Sequence, residues 1–169
     1  MILWLGLFIV VVIFAATALI GAPYVPTHRA SITKALDMLA LNPGETVVDL
    51  GSGDGAFLAA AAKRGYVAVG YEINPFLVVV STLRCLPNHR LVKVMWQNFW
   101  RAKLPPNTKA IFVFSAGPYL QKLVKTLNKL ASNRTDELQV ISYGFELPGL
   151  KLKKSKNGLH LYALLPGKR

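Results

Sequence analysis

Asp49, Asp54 and Glu72 are three of only eight acidic residues in a chain of 169. Two of them lie within the stretch VVDLGSGDG, Val47 to Gly55, in which Gly51, Gly53 and Gly55 fall at every second position. Glycine reaches positive φ at no steric cost, so such a run can turn a strand tightly into a helix and let a ligand approach the backbone. Glu72 follows Gly51 by 21 residues and closes a second strand-like run ending in GYE. An acid at the end of that strand can accept hydrogen bonds from both hydroxyls of an adenosine ribose. The same spacing fits a dinucleotide site, because Gly51 to Ala56 reads G-x-G-x-x-A and the acid comes about 20 residues later.

The carboxylates favour one of these two ligands. A nicotinamide dinucleotide lays an anionic pyrophosphate on the glycine turn, where Asp49 and Asp54 repel it. Close like-charge contacts cost several kcal/mol in partly desolvated sites. S-adenosylmethionine has no phosphate and brings a sulfonium and an ammonium group, for which the same acids are attractive. An acidic cluster in a chain of net charge +12 therefore reads as a cation site. Three histidines, His28, His89 and His160, lie far apart without ligand spacing, so no metal is expected. Cys85 stands alone, which excludes an internal disulfide and suits a packing role in a reducing compartment.

The elements that position these residues alternate. Strands are expected at Thr46 to Leu50, Tyr66 to Tyr71, Leu91 to Met95, Ala110 to Phe114 and Leu138 to Gly144. Helices are expected at Ala56 to Arg64, from Asn74-Pro75 to about Cys85, and at Pro118 to Ala131. A hairpin turning at Asn157-Gly158 closes the chain. Strands alternating with helices imply a mostly parallel sheet covered on both faces, here with an antiparallel edge. Before the first strand, SITKALDMLAL carries a helical apolar stripe and NPGE ends it. Trp96 and Phe99 are expected in the core.

Mean hydropathy is +0.38, and the excess sits at the start. Ile2 to Ala22 runs 21 residues without a charge. As a helix rising about 1.5 Å per residue it is roughly 30 Å long, the thickness of a bilayer core. Trp4 and Tyr24 sit near its ends, where amphipathic rings favour the interface. A signal peptide calls for a basic start and a shorter apolar core, and a water-facing helix calls for a polar face. One transmembrane anchor over residues 1–22 is expected, then a linker and pre-domain helix over 23–45 and a catalytic domain over 46–169. Arg29 and Lys34 follow the apolar run, which places a single-pass chain with its domain on the cytoplasmic side. With the domain held there, the positive charge favours an anionic lipid surface over nucleic acid. Lys151, Lys153, Lys154 and Lys156 are either such a contact or a solvated hairpin.

VVDLGSGDG resembles the first motif of class I S-adenosylmethionine-dependent methyltransferases, and GYEINP resembles the second. PYVPT ahead of the domain, GYEINPFLV and NFW at Asn98 to Trp100 narrow the resemblance. It is to the small membrane-anchored lysine methyltransferases of the adenine nucleotide translocase and the ATP synthase c-subunit, with their prokaryotic relatives. The resemblance implies a Rossmann-like α/β fold and S-adenosylmethionine as cofactor. It implies that Asp49, Gly51, Ser52, Gly53 and Gly55, with Asp54 in the same loop, cradle the methionine part. Glu72 would hold the ribose with Asn74 and Pro75 beside it, and Asn98 would lie near the adenine. Asn98 stands where relatives often carry an acid, and Ala56 where they often carry an arginine. By motif position Tyr24, Trp100, Ser115 and Tyr119 could line an acceptor channel. The implied partner is a protein lysine near the bilayer. Transfer to a neutral amine needs no dedicated base, and no catalytic residue is named.

The sequence leaves two competing classes open. One is a membrane-tethered NAD-dependent oxidoreductase, for which a chain of 169 residues leaves little room for a substrate domain. The other is a non-catalytic basic module on the membrane surface, which leaves the acids around the glycine turn unexplained.

Overall fold

The computed structural model describes residues 4–6, 8, 12, 25–114, 117–132 and 134–165. Seven strands form one sheet: β1 Thr46–Leu50, β2 Val67–Glu72, β3 Val92–Trp96, β4 Thr108–Phe114, β5 Leu138–Tyr143, β6 Leu152–Lys156 and β7 Leu159–Leu164. Their order is β3-β2-β1-β4-β5-β7-β6. β1 to β5 are parallel, and β7 runs antiparallel to both β5 and β6. The chain winds outward from β1 through β2 to β3, then returns to the other side of β1 with β4. The switch point between β1 and β4 is where ligands bind in such sheets, beyond the carboxyl ends of the strands.

Helices α1 Arg29–Met38, α2 Ala56–Lys63, α3 Pro75–Cys85 and α4 Leu120–Ser132 cover the sheet. Period-two alternation in β1 feeds two cores. Val47 joins Ile32, Leu36, Phe57 and Leu58 on one face, where Phe57 stacks on Phe112 at 4.2 Å. Val48 and Leu50 join Leu123, Leu127 and Tyr162 on the other. α1 thus contributes Ile32, Ala35 and Leu36, with Leu39 just beyond its end, to the same core as α2.

The expected strands, helices and terminal hairpin are all present, with ends shifted by a residue or two. β4 starts earlier, at Thr108, because a bulge lets Thr46 pair with Thr108 and Val47 with Ala110. α4 starts later, because Gly117–Tyr119 forms a separate 3-10 turn. Trp96 corrects an expectation: it is 70% exposed, not core. β3 is an edge strand with partly open faces, and the indole lies outward with its N–H bonded to the Ile73 carbonyl at 3.0 Å. Phe99 does pack, partly buried, beneath Trp100. The lysine-rich β6 forms the opposite edge with all five residues exposed, where charge blocks pairing with another strand.

Among the described residues no helix is long and apolar enough to cross a membrane. Most of the expected anchor over residues 1–22 lies outside those residues; Trp4, Leu5, Phe8 and Val12 within it are helical and exposed. Tyr24 and Ser115 also lie outside the described residues.

Candidate cofactor and acceptor site

β1 ends at Leu50, and the chain must reverse into α2 within five residues. Gly51, Gly53 and Gly55 make that turn with φ of 91°, 54° and 77°. Gly55 has a second constraint. A methyl group there would run into Ser81, whose helix α3 crosses directly behind the loop. On β2, a side chain at Gly70 would meet Leu58 Cδ1 at 2.5 Å and Ser52 Oγ at 2.6 Å. Both glycines exist so that helix, loop and strand can touch.

Four of the five N–H groups from Gly51 to Gly55 are already occupied. Gly51 and Ser52 both donate to the Tyr71 carbonyl, at 2.9 and 3.0 Å, and Gly55 donates to the Ser52 carbonyl. Gly53 donates to Glu72 Oε2 at 2.8 Å, and Ala56 to Asp54 Oδ1 at 3.2 Å. A phosphate-binding turn aims these groups at the ligand. Here they face inward, and what surrounds the turn is acidic.

Glu72 is buried at the end of β2 and bonds both sides of the cleft, taking the Asn74 N–H on Oε1 at 2.8 Å. Asn74 in turn accepts from the Phe76 and Leu77 N–H groups, and Pro75 follows at the first helical position, so this pair starts α3. Their role is to orient Glu72; a carboxylate has lone pairs left for hydroxyl donors. Asp49 is 3% exposed. Burial raises its pKa well above the ordinary value, and the charges of Glu72 and Asp54 push the same way. A cation placed beside a buried carboxylate favours its ionised form. Asp54 is committed elsewhere: it pairs with Arg84 on α3 at 2.6 Å while capping α2. Arg84 is absent from the expected set, although a cation in the last turn of a helix is a readable signal.

Asn98 accepts from the Trp100 N–H at 3.0 Å and so opens the 3-10 turn Phe99–Arg101. That turn brings Trp100 to Tyr119, ring centroids 6.4 Å apart. Lys122 of α4 places its ammonium 4.4 Å from the Trp100 centroid, a contact that no spacing announces. Two of the four expected channel residues are therefore adjacent. Cys85 is buried with its thiol pKa raised by burial, and its Sγ lies 3.8 Å from the Gly55 carbonyl, a packing role.

Residues 49–154 match the family model described as the ANTKMT methyltransferase domain. The chain belongs to this family. Among curated members, the lysine N-methyltransferase of the ATP synthase c-subunit from Xenopus laevis is 34% identical over 147 residues, covering 85% of this chain and 63% of that protein. The human protein of the same name is 34% identical over 75% of this chain and 53% of its own length. The adenine nucleotide translocase lysine N-methyltransferase of Mus musculus is 33% identical over 75% of this chain and 54% of its own length. The chain thus spans between half and two thirds of the length of these ANTKMT-domain relatives. An RNA methyltransferase from Salinibacter ruber, solved with S-adenosyl-L-homocysteine, superposes with a TM-score of 0.72 at 22% identity, covering 86% of this chain and 96% of that one. That likeness establishes the class I methyltransferase fold for this ANTKMT-domain protein.

Proposed function

We propose that this protein transfers a methyl group from S-adenosylmethionine to a lysine amine of a membrane-associated protein. The carrying observation is the glycine turn itself. Most of its N–H groups are spent on Tyr71, Ser52, Asp54 and Glu72, while Asp49 and Glu72 lie buried beside it. A pyrophosphate finds acids there and few donors; a sulfonium and an ammonium find acceptors. This weighs against the nicotinamide reading, and the named activity of the curated relatives weighs for lysine.

S-adenosylmethionine supplies a methyl group already activated by the positive charge of its sulfur. The protein's task is then position. Glu72, fixed by Gly53 and Asn74, presents lone pairs to the ribose. Asp49 offers charge to the methionine end. The Trp100 face, which accepts the Lys122 ammonium, offers a cation-binding wall to an incoming lysine. A partly desolvated lysine loses its proton more readily, which frees the nitrogen lone pair for attack.

Residues 1–22 would hold the domain at the bilayer, on the cytoplasmic side, where tethering raises the effective concentration of juxtamembrane lysines. Calorimetry of the detergent-solubilised protein tests the site: S-adenosylmethionine binds, NAD does not, and Glu72→Ala abolishes binding. Labelled-methyl transfer to native membranes then tests the acceptor. Binding of NAD in place of the methyl donor, or no lysine labelling despite bound donor, overturns the corresponding half.

A further inference from the structure

Helix α3 has an apolar outer face. Leu77, Ser81 and Cys85 turn inward and are buried. Val79 and Leu83 face out at 56% and 60% exposed, and Leu86 follows at 54%. Their spacing of four and three residues puts them on one side of the helix. Trp96 is 70% exposed at the end of β3, and its bond to the Ile73 carbonyl seats the indole beside the start of α3. Large apolar side chains gathered at water mark an interaction surface.

The charges around this face choose its partner. No Asp or Glu occurs between Glu72 and Asp136. α3 and the turn after it carry Arg84 and Arg90 against no acid. Both are exposed; Arg84 pairs with Asp54, and Arg90 is without an ion-pair partner among the described residues. An apolar helix face bordered by cations, with an indole at its rim, is the composition of a surface that lies in the headgroup region of an anionic bilayer.

We propose that the outer face of α3, with Trp96, docks flat on anionic phospholipid. This rests on the membrane-anchored reading above and adds an orientation to it. Trp96 pairs in register with Glu72 across β2 and β3, so the docking face begins at the same strand ends as the cofactor site. Docking there holds the mouth of the site at the headgroups, where a juxtamembrane lysine would be. The lysines of β6 lie on the opposite edge of the sheet, so one flat bilayer cannot meet both.

Full-length protein with Val79→Cys, labelled with nitrobenzoxadiazole, is reconstituted with vesicles of phosphatidylcholine and phosphatidylserine. Lys154→Cys on β6 is the control, Leu83→Cys repeats the measurement on the same face, and unsubstituted protein reports any labelling of the buried Cys85. Flotation shows whether the vesicles hold the chain. The expected result is flotation of every variant, with labels at 79 and 83 shifted to the blue, quenched by acyl-brominated lipid and shielded from iodide, while the label at 154 stays wet. Pure phosphatidylcholine vesicles return the labels at 79 and 83 toward water while flotation persists. Flotation with 79 and 83 as wet as 154 overturns the docking and leaves the anchor standing. Failure to float overturns both. Blue-shifted labels that brominated lipid cannot quench assign the face to another protein surface and overturn the lipid proposal.

Discussion

Glu72 and Gly53 are joined by a 2.8 Å hydrogen bond from the Gly53 N–H to Oε2, while Oε1 of the same carboxylate takes the Asn74 N–H at 2.8 Å. One side chain thus locks the glycine turn to the start of α3. The cleft between them is preorganised, which reduces the ordering left to be done on binding.

Glu72→Gln keeps the size but sets an amide NH2 against one of these two N–H groups. Hydrogen bonds to a charged group are worth about 1.5–3 kcal/mol each. The melting temperature falls, and affinity for S-adenosylmethionine drops at least about tenfold, or roughly 1.4 kcal/mol. Thermal unfolding and calorimetry on the same samples measure both. Unchanged affinity would remove Glu72 from the site.

Gly51→Ala and Gly55→Ala separate strain from collision. Both residues have positive φ, 91° and 77°, which costs a side chain roughly 1–2 kcal/mol. Nothing lies within 4 Å of a methyl at Gly51, whereas one at Gly55 strikes Ser81. Overpacking adds about 1–3 kcal/mol, so denaturant unfolding of Gly55→Ala shows the larger loss. Equal losses would mean that α3 moves away freely.

Asp49 makes ligand-free stability depend on pH. Its folded pKa is raised above the ordinary 3.8, chiefly by burial. The native state therefore holds the proton longer than the unfolded chain. The stabilisation is full below the unfolded value and is lost as pH rises toward the folded one. A cationic ligand favours the ionised form, so affinity rises over the same window and binding releases a proton. Asp49→Asn flattens both profiles. Melting curves and calorimetry in buffers of different ionisation enthalpy detect the change.

Trp100→Ala removes the wall shared by Tyr119 and Lys122. The expected result is a raised KM for the lysine acceptor with cofactor affinity preserved. Cation–π contacts of about 0.5–2 kcal/mol predict an effect of roughly two- to thirtyfold. Steady-state transfer assays at saturating methyl donor measure it, and an equal loss of cofactor affinity would place Trp100 with the adenine instead.

Much of this protein is legible in its amino-acid sequence. Gly51, Gly53 and Gly55 marked a strand-to-helix turn because only glycine takes repeated positive φ cheaply. Asn74-Pro75 marked the start of α3, and Asn157-Gly158 marked the hairpin, because caps and tight turns are made by residues next to one another in the chain. Alternating apolar runs likewise implied a parallel sheet with an antiparallel edge.

What the sequence left undecided depends on groups distant along the chain. Asp54 reads as a ligand acid, but its carboxylate meets Arg84, 30 residues away. Trp96 reads as core, yet the sheet order makes β3 an edge and leaves the indole outside. The glycine spacing alone fits a phosphate cradle as well, and only the fold shows Tyr71 and Glu72 taking three of the turn's N–H groups. Local periodicity determines which elements form. Which donors, acceptors and apolar faces remain free is set only when those elements pack, because each hydrogen bond or burial is settled by a neighbour that the chain brings from elsewhere.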